Sequence, residues 1–301
     1  MRASFCDSIL KLSSSPDFVF LTGDLGFMAL EPLRDAAGVR FINAGIAEQN
    51  MVAAAVGMAA VGLRPWVYSI APFIYARAYE QIRNDVVMHG ANVKLVGNGG
   101  GFGYGVMGKS HHAIEDFAAL RGLGLKVYIP AFPGDVDEMV ARMAAEESPA
   151  YLRLGKYEGS WDGGYSPWRK AFAGTGSIIV ACGPLAGGIL AAMESVPPGR
   201  APTLWVISEL PAPALPDEFI ADLDRCVHSG ASLFVAEEHV SAGGLGESLA
   251  ASLMACGRPL PPFVPCHASY TGKPLGSQAW LRSRCGLDPL EIVRRATNAM
   301  S

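Results

Sequence analysis

Short apolar runs alternate with stretches in which apolar positions recur every three or four residues. In the first half the short runs are Phe18–Leu21, Val39–Asn43, Arg64–Ser69, Asn92–Gly97, Lys126–Pro130 and Ser148–Lys156. Their length and their Val, Ile, Phe and Tyr content predict strands. Segments such as Ser4–Leu12 and Ala76–Asp85 read as helices between them. Strands alternating with helices predict a parallel sheet covered on both faces. Residues 159–173 carry Gly, Ser, Pro and Trp without apolar periodicity and read as a linker. The alternation then resumes at Ser177–Gly183, Thr203–Ile207 and Ser232–Ala236. The expected fold class is α/β: two consecutive doubly wound parallel-sheet domains at 1–158 and 174–301, joined by that linker.

One helix departs from the amphipathic pattern. Gly45-Ile46-Ala47-Glu48-Gln49-Asn50 leads into Met51–Ala60, a run without a polar face, which predicts burial on all sides. Glu48 then enters the core on a first helical turn, where backbone N–H groups and the helix dipole favour an anion. The bland alternative is an acid that merely complements the dipole. Thr22-Gly23-Asp24-Leu25-Gly26 follows the first strand at its carboxyl edge, where ligands bind in open α/β sheets. Asp24 is therefore a second candidate, with a turn aspartate as its bland reading.

Composition narrows the class. Half of the residues are hydrophobic and 17% are charged, enough for a large core and a subunit interface. The net charge of −4, without basic clusters, argues against nucleic acid. No run approaches the roughly 20 apolar residues of a membrane span. The start, Met1–Asp7, lacks the pattern of a signal peptide, and the six cysteines form no Cys-x-x-Cys pair. Reduced thiols and a cytoplasmic location are expected.

Between the fourth and fifth predicted strands lies a glycine-rich loop, residues 97–108, which lets backbone approach a ligand closely. Gly103, Gly105 and Gly108 form a G-x-G-x-x-G. However, polar residues delay the helix and the first acid after the next strand, Asp135, comes too late for a dinucleotide site. Adjacent His111 and His112 face different sides, so they do not chelate one metal together; Ser110 is placed as a helix cap. Glu237-Glu238-His239 reads as a structural turn at a strand edge rather than a metal site, and no metal ligands are assigned.

Taken in order, these segments resemble the transketolase family: 45–51, Arg77–Asn84, Ser110–Asp116, Pro149–Gly155, and Glu237–His239 with the turn to Gly246. The likeness is to the C-terminal subunit of a split transketolase, comprising the pyrimidine-binding and C-terminal domains. It implies thiamine diphosphate as cofactor. In the family the glutamate matching Glu48 hydrogen-bonds N1′ of the aminopyrimidine and favours the tautomer that activates the thiazolium. That requires a carboxyl able to share a proton at neutral pH, which burial beside an apolar helix favours. The resemblance further places Phe73 in a stack on the pyrimidine, Ile70 and Ala76 at two other ring-packing positions, Asp24 near the cofactor and His111 at the donor hydroxyls.

Departures from the family matter as much. The Gly-Asp-Gly and later Asn that hold the diphosphate and its Mg2+ have no counterpart, since Gly23-Asp24 is followed by Leu25. The resemblance therefore implies a partner, the N-terminal diphosphate-binding subunit carrying Mg2+, in an α2β2 assembly. Met107 stands where the family has an acceptor-reading aspartate. Gly99, Met28 and Lys156 replace a histidine, a serine and an arginine that contact the substrate phosphate. These losses imply a specialised ketol transfer, to an unusual or nucleotide-linked sugar substrate. The rival readings are the beta subunit of a 2-oxoacid dehydrogenase-type decarboxylase and a non-catalytic regulatory subunit.

Overall fold

The structure, a computed structural model, describes residues 1–156, 161–197, 199–270 and 275–299. The expected boundary at 158–159 lies outside the described residues.

In the first half, apolar runs form β1 (Phe18–Thr22), β2 (Phe41–Asn43), β3 (Arg64–Ile70), β4 (Lys94–Asn98), β5 (Lys126–Tyr128) and β6 (Ala150–Leu154). Helix α1 (Arg2–Leu12) precedes them, and α2 (Glu31–Ala37), α3 (Glu48–Ala60), α4 (Tyr79–Gln81), α5 (Asp116–Arg121) and α6 (Asp135–Ala145) lie between them. The second half adds β7 (Trp168–Phe172), β8 (Ile178–Cys182), α7 (Leu185–Met193), β9 (Thr203–Ile207), β10 (Glu209–Leu210) and α8 (Asp217–His228). It ends with β11 (Leu233–Glu237), α9 (Leu245–Ala255), β12 (Phe263–His267), α10 (Gln278–Arg284) and α11 (Pro289–Asn298).

Two sheets result, ordered β10-β5-β6-β4-β3-β1-β2 and β12-β11-β8-β9-β7. Each is parallel apart from one antiparallel edge, β10 on β5 and β7 on β9. The α/β expectation holds, with three strands that the pattern missed. The expected linker contains β7: Trp168 and Arg169 are buried there, and Arg169 pairs with Asp135 at 2.6 Å. Too few residues separate its glycines and prolines for a period-2 signal to stand out. Two-residue β10 belongs to the second half of the chain but pairs with β5, so it fastens the second half to the first sheet.

Helix α3 corrects a second expectation. Met51, Val52 and Ala55 are buried, but Ala53, Gly57 and Ala60 are exposed. An apolar helix need not be enclosed when its outward face is made of small residues. The expected Ala76–Asp85 helix is an irregular one: π-helical turns at Phe73–Arg77 and Ile82–Val87 flank α4. Such turns accumulate at functional sites.

Candidate functional site

The carboxyl ends of β1, β3 and β4 lie side by side, and the site is built on them. Thr22 is opposite both Asn43 and Tyr68 in the ladder, and Ile70 is opposite Asn98. Glu48 opens α3 at this edge and is 1% exposed. Its Oε1 accepts from the Ser69 hydroxyl at 3.0 Å, and its Oε2 from Arg77 Nη1 at 2.6 Å. The carboxylate thus turns from its own helix end towards β3 and the π-helical turn. Gly23 makes room for it, because a Cβ there would sit 3.3 Å from Oε1.

Phe73 and Arg77 belong to one π turn, which lays the guanidinium 4.4 Å from the centroid of the Phe73 ring. His111 meets the same ring edge-on at 5.1 Å. Its Nδ1 lies 3.0 Å from the Ser110 hydroxyl, so Ser110 orients His111 and does not cap a helix; α5 begins at Asp116. Glu48, Phe73 and His111 are therefore joined through Arg77 in one cluster. Ile70 ends β3 beside it, half-buried, while Ala76 is exposed.

The remaining expected positions divide. Asp24 is exposed in the left-handed region at φ 56°. Its carboxylate accepts from Asn43 Nδ2 at 2.9 Å, and Asn43 Oδ1 in turn accepts from the Asp24 and Gly45 N–H groups. Asp24 thereby staples the β1 and β2 edges that carry the Gly45 turn. Met28 is 82% exposed and Met107 52% exposed, and neither joins the cluster. Gly99 and Lys156 share a cavity of about 640 Å3 with Arg2, Asn98 and Tyr104. Sequence reasoning missed Ser69, Arg77 and Arg2. The four-residue spacing of Phe73 and Arg77 was the available signal for Arg77, but nothing local pointed to Arg2.

Behind the cluster the His111 loop is anchored to the second half. His112 is buried, edge-on to Phe102 and stacked on Tyr270, so the two histidines do face different ways. Arg153 on β6 donates to the Ala113 and Glu238 carbonyls at 2.6 and 2.9 Å. It also pairs with fully buried Asp116 at 3.1 Å. Burial pushes the Asp116 carboxyl up to about 6, against the opposing pull of Arg153 and the Tyr151 hydroxyl.

The Glu237-Glu238-His239 turn sends three side chains in three directions. Glu237 accepts from the Leu245 and Gly246 N–H groups at 2.6 and 2.8 Å, filling the N-terminus of α9. Burial pushes it up to about 7 despite those bonds. Glu238 accepts from the Phe102 N–H at 2.9 Å, from Gln278 and from Arg282 at 2.8 Å. Burial alone would raise this carboxyl, but Arg282 and the other donors hold it below the ordinary value. His239 Nε2 accepts from the Ala118 N–H, and its ring stacks on Phe117 at 4.6 Å. Burial drives it down to about 3, so it is neutral. Among the described residues, no group of three or more His, Cys, Asp or Glu side chains could hold a metal ion.

An acid, a ring and an imidazole gather at the carboxyl edge of a parallel sheet, the edge at which open α/β sheets bind ligands. Comparison with known proteins agrees. Residues 11–160 match the family described as "Transketolase, pyrimidine binding domain". An uncharacterized transketolase family protein of Sinorhizobium fredii is 31% identical over 84% of this chain and 75% of its own. The chain belongs to the transketolase family. A subunit of the apulose-4-phosphate transketolase of Phocaeicola vulgatus is 33% identical over 52% of this chain, and the match spans 51% of that relative. A solved structure titled "Split gene transketolase, inactive beta4 tetramer" superposes over 100% of this chain and 98% of its own, at TM-score 0.77 and 28% identity. No helix among the described residues is long and apolar enough to cross a membrane.

Proposed function

We propose that this chain is the C-terminal subunit of a split thiamine-diphosphate-dependent transketolase, moving a two-carbon ketol unit from a ketose to an aldehyde. The observation that carries the reading is the joint placement of Glu48, Phe73 and His111 at one sheet edge. The donor set fits the pyrimidine end of the cofactor: a buried carboxylate to accept from a ring nitrogen, beside an aromatic face. When bound, the cofactor supplies the carbanion chemistry that no side chain can. Glu48 would accept from the ring nitrogen at its carboxylate, Ser69 fixes that carboxylate's rotation, Phe73 would set the ring plane and His111 would donate to substrate hydroxyls. Asp24, through Asn43, keeps the Gly45 turn in place ahead of Glu48.

The diphosphate and its Mg2+ fall to a partner subunit, in an α2β2 assembly. Support comes from the small-residue outward face of α3 and from Phe27, Met28 and Ile46, large apolar side chains left exposed in the same half of the chain. A solved relative titled as an inactive beta4 tetramer is consistent with a chain that waits for its partner. For the substrate, Lys156 and Arg2 face one cavity, so a single anionic head group on the sugar is the natural occupant. Relatives named for apulose-4-phosphate and for 6-deoxy-6-sulfo-D-fructose carry one such group, a phosphate or a sulfonate.

Reconstitution with the candidate partner tests this directly. Ketol transfer should need both chains, thiamine diphosphate and Mg2+. Turnover by this chain alone would remove the split-enzyme reading, and pyruvate decarboxylation with a lipoyl acceptor would install the decarboxylase rival instead. Binding of the cofactor without any turnover would leave the regulatory subunit.

A further inference from the structure

We infer that Arg77 occupies the seat of the cofactor's aminopyrimidine, as an internal stand-in that must swing out before the ring can enter. The inference rests on the assignment of Glu48 and Phe73 to that ring. The guanidinium is flat, carries N–H donors in its plane, and makes both contacts the pyrimidine would make. It donates to Glu48 Oε2 at 2.6 Å and lies 4.4 Å over the Phe73 ring. Arg77 covers that face of Phe73 at van der Waals distance, so a ring that stacks there while reaching Glu48 must displace it.

Three features suit Arg77 to leaving. It is 40% exposed, so its path outward does not cross the core. It sits at the end of a π-helical turn, Phe73–Arg77, where the backbone ladder is already irregular. Glu48 retains the Ser69 hydroxyl on its other oxygen, at 3.0 Å, so the carboxylate keeps a donor and its rotamer while its second partner changes. Until then Arg77 neutralises a buried charge that would otherwise be costly. The exchange sets cofactor affinity: the ring must displace a charged hydrogen bond and a cation–π contact.

The probe is 4-amino-5-hydroxymethyl-2-methylpyrimidine, titrated into the full chain by calorimetry. Arg77→Met, which keeps the stem and loses donors and charge, should bind the probe about tenfold or more tightly than wild type, from the two contacts no longer displaced. Arg77→Lys, which keeps the charge but cannot stack as a plane, should fall between them. In the wild type, the Arg77 Nε–H resonance, identified by its loss in the variants, should move to a solvent-exposed position on saturation. That readout holds if Arg77→Met fails to fold. Equal or weaker binding by Arg77→Met, or an Nε–H resonance unmoved at saturation, overturns the inference. If all variants bind equally and Phe73→Ala abolishes binding, the pyrimidine site stands and only the stand-in falls. Failure of every variant to bind overturns both.

Discussion

Two acids in this chain occupy equivalent places. Glu48 and Glu237 each lie at the carboxyl edge of a parallel sheet, beside the N-terminus of a helix, and each is almost wholly buried. Glu237 bonds to the backbone N–H groups of Leu245 and Gly246, which no ligand can replace without unwinding α9. Glu48 bonds to two side chains, Ser69 and Arg77, and Arg77 reaches solvent. The same residue type in the same topological place becomes a joint when its partners are fixed and a site when they can be exchanged. The neighbouring turn extends the contrast: Glu238 and His239 are also wholly spent on holding the two halves together.

If that contrast is right, removing each acid should damage something different. Glu48→Ala should lower turnover of the reconstituted enzyme by roughly 100- to 10,000-fold, the range for a proton-handling group, with Tm little changed. An unchanged rate would make Glu48 another joint. Glu238→Ala should act on the fold first. It removes the buried carboxylate that accepts from Arg282 and the Phe102 N–H, and breaking a buried pair costs about 3–5 kcal/mol. Urea unfolding measures this, and a loss below about 1 kcal/mol would show that the second half does not hold the glycine-rich loop.

Much of this contrast was legible in the sequence, because it depends on where acids fall relative to strands and helices. The approach of Glu48 to a strand edge follows from a short apolar run, a glycine turn and an acid before an apolar helix. What could not be read was partner identity. Ser69 and Arg77 lie 21 and 29 residues from Glu48, and only the π-helical turn brings Arg77 back over Phe73. Similarly, β10 is two residues long and pairs with a strand from the other half, so no local period reveals it. Arg2 and Lys156 line one cavity although they stand at opposite ends of the first half of the chain. Long-range closure is invisible to any window of residues.

The second acid also makes a pH signature that the first need not share. Glu237 has a folded-state value of about 7 against an ordinary 4.5. The folded chain holds that proton more tightly, so its contribution to stability is complete below pH 4.5 and disappears as the pH rises to about 7. His239 runs the other way: held down to about 3 from 6.5, it adds stability as the pH rises across that interval. Urea midpoints followed from pH 4 to 8 should therefore show the decline near neutrality in wild type and its absence in Glu237→Gln. An identical slope in the two would mean that Glu237 is not protonated at this joint, and the contrast with Glu48 would rest on geometry alone.

The smallest effect is expected where a single methyl group is added beside each acid. A Cβ at Gly244 would lie 2.5 Å from Glu237 Oε2, and one at Gly23 would lie 3.3 Å from Glu48 Oε1. The first contact cannot be relieved without breaking the bonds to Leu245 or Gly246, so Gly244→Ala should lower Tm clearly. The second needs Glu48 to yield by a few tenths of an ångström, and its partners are side chains that can follow. Gly23→Ala should therefore fold with stability within about 1 kcal/mol of wild type, because a small side-chain shift relieves the contact. It should weaken pyrimidine binding only a few-fold, because a shifted carboxylate still points at the ring. If Gly23→Ala instead unfolds the chain as readily as Gly244→Ala, Glu48 is as rigidly set as Glu237, and exchangeable partners are not what distinguishes them.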